Sequence, residues 1–280
     1  MNRRCFLRSA ASATAILGGS ALLPGCQSTA GRGAPWKPRL STSSIHYRDL
    51  PLEQACERIA DLGFEAVDIW SAYESCPHLD DALNRLGPAG LQDLRRRTRL
   101  RLAAFSTYVG GYARYAGLLG GIGGGVAIQG SAAPRPPPAL TSPICALFEQ
   151  LKPLADLAER HNSWLAIENH GDALLDGLDS FRAFVELNPH PRVGIALAPY
   201  HLQAGGASVE EAIRISGPQL LFFYAWQNQP DLGQLPGHGP TDFAPWLRAL
   251  ADIRYARHVN AFMHGHPAPD VMSAALARSR

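Results

Sequence analysis

The sequence predicts a single (β/α)8 barrel, an α/β fold whose one parallel sheet closes on itself, and three features carry that reading. Ser163-Trp164-Leu165-Ala166-Ile167 is an apolar run of one strand's length, and Val193-Gly194-Ile195-Ala196-Leu197 repeats it about thirty residues later. Fully apolar strands separated by helical spacers are what a parallel sheet covered on both faces requires. Both runs end abruptly in polar groups, Glu168-Asn169-His170-Gly171 and Ala198-Pro199-Tyr200-His201. C-terminal strand ends are where such barrels carry their chemistry. Finally, about 240 residues follow an atypical leader, the usual size of one barrel.

The leader, residues 1–26, reads as a targeting segment. Arg3-Arg4-Cys5-Phe6-Leu7-Arg8 matches the twin-arginine export pattern, and Ala10 to Leu23 is only weakly apolar and too short for a membrane span. Leu23-Pro24-Gly25-Cys26 resembles a lipobox, which makes Cys26 the expected lipidated N-terminus of a periplasmic, membrane-anchored lipoprotein; a plain cleaved signal would instead leave the protein free in the periplasm. Residues 27–39 read as a flexible tether without core-forming content.

The elements follow in order. Leu40 to His46 is a short, polar first strand. Asp49 caps a helix with apolar Leu52, Ala55, Cys56, Ile59 and Leu62, stopped by Gly63. Phe64 to Trp70 is the second strand, and a helix around Leu91–Arg97 leads to the third, Leu100 to Ser106. The run Gly120-Gly121-Ile122-Gly123-Gly124-Gly125 precedes a strand, Val126 to Gln129, rather than opening a helix, so it is no dinucleotide fingerprint and no nucleotide cofactor is expected. Pro134 to Pro138 is a stiff loop at the end of the fourth strand. A long helix, about Pro143 to His161, precedes the Glu168 strand. After His201, Ser208-Val209-Glu210-Glu211 is a capping box. Leu220 to Gln227 is the seventh strand, Gln234 to Phe243 a loop into the next helix, and His258 to Phe262 the eighth strand, ending in Met263-His264-Gly265-His266. A last helix starts at Pro269.

The Ile167-Glu168-Asn169-His170-Gly171 strand end and the Leu62-Gly63-Phe64-Glu65-Ala66-Val67-Asp68 entry to the second strand resemble the xylose isomerase-like TIM barrels, the sugar isomerase and epimerase group, over residues 40–280. The resemblance implies that Glu168 binds a divalent metal. It also marks departures: the family's Asp-x-x-His at strand six is Ala198-Pro199-Tyr200-His201 here, its His-x-Lys-Asp at strand seven is Tyr224-Ala225-Trp226-Gln227, and a second Glu at strand eight is replaced by Met263-His264. His238 stands in place of a loop Glu. The expected metal set is therefore Glu168, His201 and His264, with Glu168 and His264 catalytic. One carboxylate with histidines suits Zn²⁺, Mn²⁺ or Fe²⁺ better than Mg²⁺.

Bland alternatives stand beside these. Glu168 is either that site acid or a structural carboxylate paired to an arginine; His201 is either a ligand or a rim hydrogen bonder; His264 and His266 are either functional or solvent-exposed. His46, Asp68, Trp70, Tyr108, Asn169, His170, Trp226, Gln227, His238 and His266 are the expected substrate contacts, the two indoles offering faces to a sugar ring or else packing under a loop. His78, His161, His190 and His258 read as structural or surface, and Cys56, Cys76 and Cys145 as buried inert thiols.

Net charge is +2, which gives no electrostatic case for nucleic acid; the DNA-repair endonucleases that share this barrel need a dense metal cluster and a basic groove. Lys37 and Lys152 are the only lysines, one in the tether and one in a helix, so a Schiff-base aldolase has no nucleophile. The leading expectation is an exported sugar isomerase- or epimerase-like enzyme, or a related carbohydrate lyase or hydratase that needs only one base. Its partner is a neutral sugar or keto-sugar, and it uses a divalent metal. The alternative is a non-catalytic, lipid-tethered sugar-binding barrel whose metal site has decayed.

Overall fold

The computed structural model describes residues 35–131 and 139–280; the leader, most of the expected tether and the Pro134–Pro138 loop lie outside them. Eight parallel strands, β1 (Arg39–Ser43), β2 (Ala66–Trp70), β3 (Arg101–Ser106), β4 (Val126–Gly130), β5 (Trp164–Glu168), β6 (Val193–Leu197), β7 (Leu220–Ala225) and β8 (His258–Ala261), close in sequence order, with β1 paired to β8. Around them run α1 (Leu52–Asp61), α2 (His78–Asp81), α3 (Gly87–Thr98), α4 (Gly111–Gly121), α5 (Thr141–Arg160), α6 (Leu178–Leu187), α7 (Pro199–Ala204), α8 (Val209–Ser216), α9 (Ala244–Asp252) and α10 (Pro269–Arg278).

Strand side chains alternate between two cores. Val67, Ile69, Leu165, Ile167, Ile195, Phe223 and Val259 face the helices, while Trp70, Ala166, Ala196, Leu221, Phe222, Tyr224 and Phe262 fill the barrel interior. Volume is shared unevenly around the ring: alanines on β3, β5 and β6 face the aromatics of β7 and its neighbours. The same period runs along β5 and β8, so Trp164 and His258 lie at the N-terminal end and Glu168 and His264 at the C-terminal end.

The polar first strand is buried because its side chains find partners. Ser41 Oγ donates to Asn260 Oδ1 (2.9 Å), Asn260 Nδ2 to Ser43 Oγ (2.9 Å), and Thr42 Oγ1 to the Ala261 carbonyl (2.8 Å). Buried hydroxyls with partners cost little; unpaired they would cost about 1–3 kcal/mol each. The chain joins the barrel before β1: the Trp36 indole donates to the Tyr255 carbonyl at 2.7 Å, so the last residues assigned to the tether pack on the barrel. Cys56 and Cys76 are buried free thiols as expected, whereas Cys145 is exposed on α5.

Candidate active site

A cavity of about 430 Å³ opens at the C-terminal mouth, lined by Trp70, Tyr73, Tyr108, Glu168, His201 and His264 among others. Glu168 ends β5 with its inward side chain 9 % exposed, and the Tyr108 hydroxyl donates to its Oε2 at 2.6 Å. Tyr108 in turn lies 2.9 Å from the Tyr224 hydroxyl. Burial pushes the Glu168 carboxyl up to about 7, against the lowering effect of the Tyr108 bond and with a further raise from Asp68. No arginine touches it, so the structural ion-pair alternative does not hold among the described residues.

Beneath the mouth, Asp68 is buried and its oxygens are taken: Ser43 Oγ at 3.0 Å, Ser106 Oγ at 2.9 Å and the Trp70 indole N–H at 2.6 Å. Burial raises it to about 6. Asp68 does not line the cavity; it fixes Trp70, which stacks on Phe262 (5.1 Å between ring centroids, 10° between planes) and tilts against Tyr108. One aromatic wall is thus held from below by a carboxylate.

Several other expected contacts are engaged by partners within the fold and do not line the cavity. His46 is buried with both ring nitrogens engaged, Nδ1 with Thr42 Oγ1 (3.0 Å) and Nε2 accepting the Met263 amide (3.2 Å); burial drops it to about 3, a neutral imidazole that ties β1 to the end of β8. Asn169 exchanges two bonds with the Ala198 backbone and so pins the ends of β5 and β6 together. Gln227 is fully buried, donates to the Leu235 carbonyl and accepts the Thr241 amide, so it ties the strand-seven end to the following loop and does not line the cavity. His238 turns to the Ala275 carbonyl of α10, away from the mouth, because the Pro236–Pro240 loop packs on the last helix. Trp226 is buried, bonded to Gln234 Oε1 and stacked on Tyr200, so it supports the rim.

The histidines form a partial ring. The His170 and His201 rings lie 4.0 Å apart, tilted by 40°, and burial lowers His201 to about 3. His264 Nδ1 is 3.1 Å from Glu74 Oε1, and His266 Nε2 is 2.5 Å from Glu74 Oε2. Burial lowers His264 although Glu74 opposes it. Glu74 escaped sequence reading because it sits in a loop at left-handed φ (49°), with no apolar strand to flag it; only its place after β2 pointed to the mouth. Tyr224 was also missed, although it occupies one of the positions where the resemblance breaks.

The donors of the expected metal site are spread over these separate contacts. Among the described residues no three His, Cys, Asp or Glu side chains are grouped to hold a metal ion. Glu168, His201 and His264 share one cavity, but Glu168 is bonded to Tyr108, His264 to Glu74, and His201 lies against the His170 ring. The expected ligand set does not fit a metal in this arrangement.

The comparisons agree with the fold. The chain is similar in structure to 3-keto-D-glucoside 4-epimerase from E. coli (TM-score 0.67, 15% identity, 86% of this chain and 98% of that one). It is also similar to a D-psicose 3-epimerase solved with D-fructose (0.62, 16%, 85% and 89%) and to a probable 3-DHS dehydratase from Bacillus anthracis (0.65, 15%, 85% and 97%). No curated protein sequence matches it. The profile of the xylose isomerase-like TIM barrels matches residues 56–280, most of the barrel, and the chain belongs to that family.

Proposed function

We propose that this barrel is an exported enzyme acting on a neutral keto-sugar through one acid–base carboxyl, Glu168, and that its chemistry is closer to a lyase or hydratase than to a two-base epimerase. The observation that carries this reading is the Glu168–Tyr108 pair at the wall of the mouth cavity, with the carboxyl held near 7. A base works best when its pKa lies near the working pH. As carboxylate, Glu168 takes the proton α to the substrate carbonyl; once it is protonated, the single Tyr108 O–H that it accepted is free to turn to the oxygen on which charge collects, with Tyr224 beside it. As carboxylic acid, Glu168 returns that proton to a β-hydroxyl, which leaves as water. One group serves both halves, so a second facing carboxylate is not required.

Two features support a neutral sugar. The cavity is lined by the aromatic rings of Trp70, Tyr73 and Phe262, and among the described residues no arginine or lysine lines it. Names of the similar structures, two sugar epimerases and a dehydratase, point to the same substrate class. The second reading, a sugar-binding barrel without turnover, is favoured by Ala198 and Met263, which stand where the resemblance expects ligand acids. Export and lipid attachment at Cys26 belong to the proposal on the strength of the leader.

Turnover of a panel of 3-keto-sugars, followed by ultraviolet absorbance of the dehydrated product, tests it. Glu168→Gln should lower kcat by at least about a thousandfold while sugar binding by calorimetry persists. Binding by the wild-type protein with no turnover of any member would establish the second reading.

A further inference from the structure

The opposite end of the barrel carries a second cavity, about 270 Å³, whose chemistry is the reverse of the mouth. Arg39 at the start of β1, Arg101 at the start of β3, and Arg257 with His258 at the start of β8 line it, together with Trp164. Arg257 lies over the Trp164 ring at 4.4 Å and Arg192 over the same ring at 4.6 Å. Contact with one indole holds two guanidiniums at this end of the barrel although they repel. Among the described residues none of Arg39, Arg101, Arg192 or Arg257 pairs with a carboxylate, and Glu65 at the start of β2 has its Oε1 on the Leu40 amide instead. His258, more than nine-tenths buried, has an Nε2 with no hydrogen-bond partner. The glycine run that opens no helix supplies the bare backbone of Gly123 to Gly125 to the wall.

Arginines left unpaired around a small cavity, with an unpartnered buried imidazole nitrogen in its lining, form an anion receptor: guanidinium forks match tetrahedral oxyanions. A monoanion such as a carboxylate would offset only one of three converging charges, whereas a phosphate offsets up to two. We propose that the N-terminal end of the barrel binds a phosphate group through Arg39, Arg101 and Arg257, with His258 Nε2 as a further partner. The group belongs either to a free phosphate or to the headgroup of an anionic phospholipid, since the chemistry of recognition is the same.

Two binding arms separate the sources, each with the full-length chain carrying Cys26→Ser so that no acyl group contributes. The first is calorimetry with inorganic phosphate at low salt; the second is co-sedimentation with phosphatidylglycerol/phosphatidylcholine vesicles against pure phosphatidylcholine. Arg257→Gln and Arg101→Gln should each weaken binding about tenfold or more, while Arg248→Gln, an exposed arginine on α9, leaves it unchanged. Arg101 is solvent-exposed, so its variant keeps the test alive if Arg257→Gln fails to fold; circular dichroism checks both. Phosphate binding that falls in these variants supports a free-phosphate site, and binding confined to phosphatidylglycerol vesicles with the same losses supports a headgroup. Absence of binding in both arms, or equal weakening by Arg248→Gln, overturns the proposal.

Discussion

Glu168 is an acid whose protonated form the fold prefers, and that preference has a sign that can be tested. Its carboxyl is raised from 4.5 to about 7, chiefly by burial. Below about pH 4.5 folded and unfolded states both carry the proton. Between there and pH 7 the unfolded chain releases it while the barrel keeps it, so this group's contribution to stability falls as pH rises, by up to about 3 kcal/mol, and is fully lost above 7. Glu168→Gln removes the titration. Thermal unfolding of the unliganded variant should match wild type near pH 4.5 and exceed it at pH 8; a difference independent of pH contradicts a raised carboxyl. If Glu168 is the base proposed above, kcat/KM for a keto-sugar should rise through about pH 7, the limb of a base that must be ionised. At this scale the sequence showed Glu168, because a carboxylate closing an apolar strand stands out. It could not show Glu74, whose reach to His264 and His266 depends on two successive left-handed residues, Glu74 and Ser75, neither a glycine. Nor could it show that His46, Asn169, Gln227 and His238 would be engaged by partners within the fold, since most of these pairings, such as His46 with the Met263 amide and His238 with the Ala275 carbonyl, are long-range and leave no local trace.

The strands were legible because a parallel sheet buried on both faces demands unbroken apolar runs, which local helices do not imitate at that length. What escaped was α4: Gly111, Gly117, Gly120 and Gly121 make it a poor helix by propensity, and packing of Tyr112, Tyr115, Leu118 and Leu119 overrides that cost. Gly194 on β6 has a different reason. A Cβ there would lie 2.3 Å from the Gln219 carbonyl oxygen and 2.6 Å from Leu221 Cγ, where β7 starts against β6. The carbonyl is fixed backbone, so the strand cannot give way as a flexible side chain would. Gly194→Ala should destabilise the barrel by about 2 kcal/mol or more, read from urea unfolding. A loss below about half a kcal/mol would mean that the β6–β7 seam is looser than this contact implies.

Across the whole molecule the barrel is polar from end to end: an aromatic, weakly acidic mouth at the strand C-termini and an arginine floor at their N-termini. The chain enters β1 at the floor, through Trp36 docked on Tyr255. At most twelve residues, 27 to 38, separate Cys26 from Arg39, a span of roughly 40 Å when fully extended. An acyl group on Cys26 would therefore hold the barrel within that distance of a membrane; at full extension, several Debye lengths, headgroup charge would be screened from the arginine floor, which would feel it only when the barrel lies against the surface. Acyl chains contribute about 0.8 kcal/mol per buried methylene, far more than exposed arginines add, so the lipid and not the charge should decide partitioning. Fractionation of cells making the full chain tests that order. Cys26→Ser should move the protein from the membrane to the soluble periplasmic fraction, while Arg39→Gln leaves the lipidated form on the membrane. A Cys26→Ser protein that stays membrane-bound, together with an unmodified Cys26 in the wild type by mass spectrometry, would remove the anchor and leave the leader as a plain export signal.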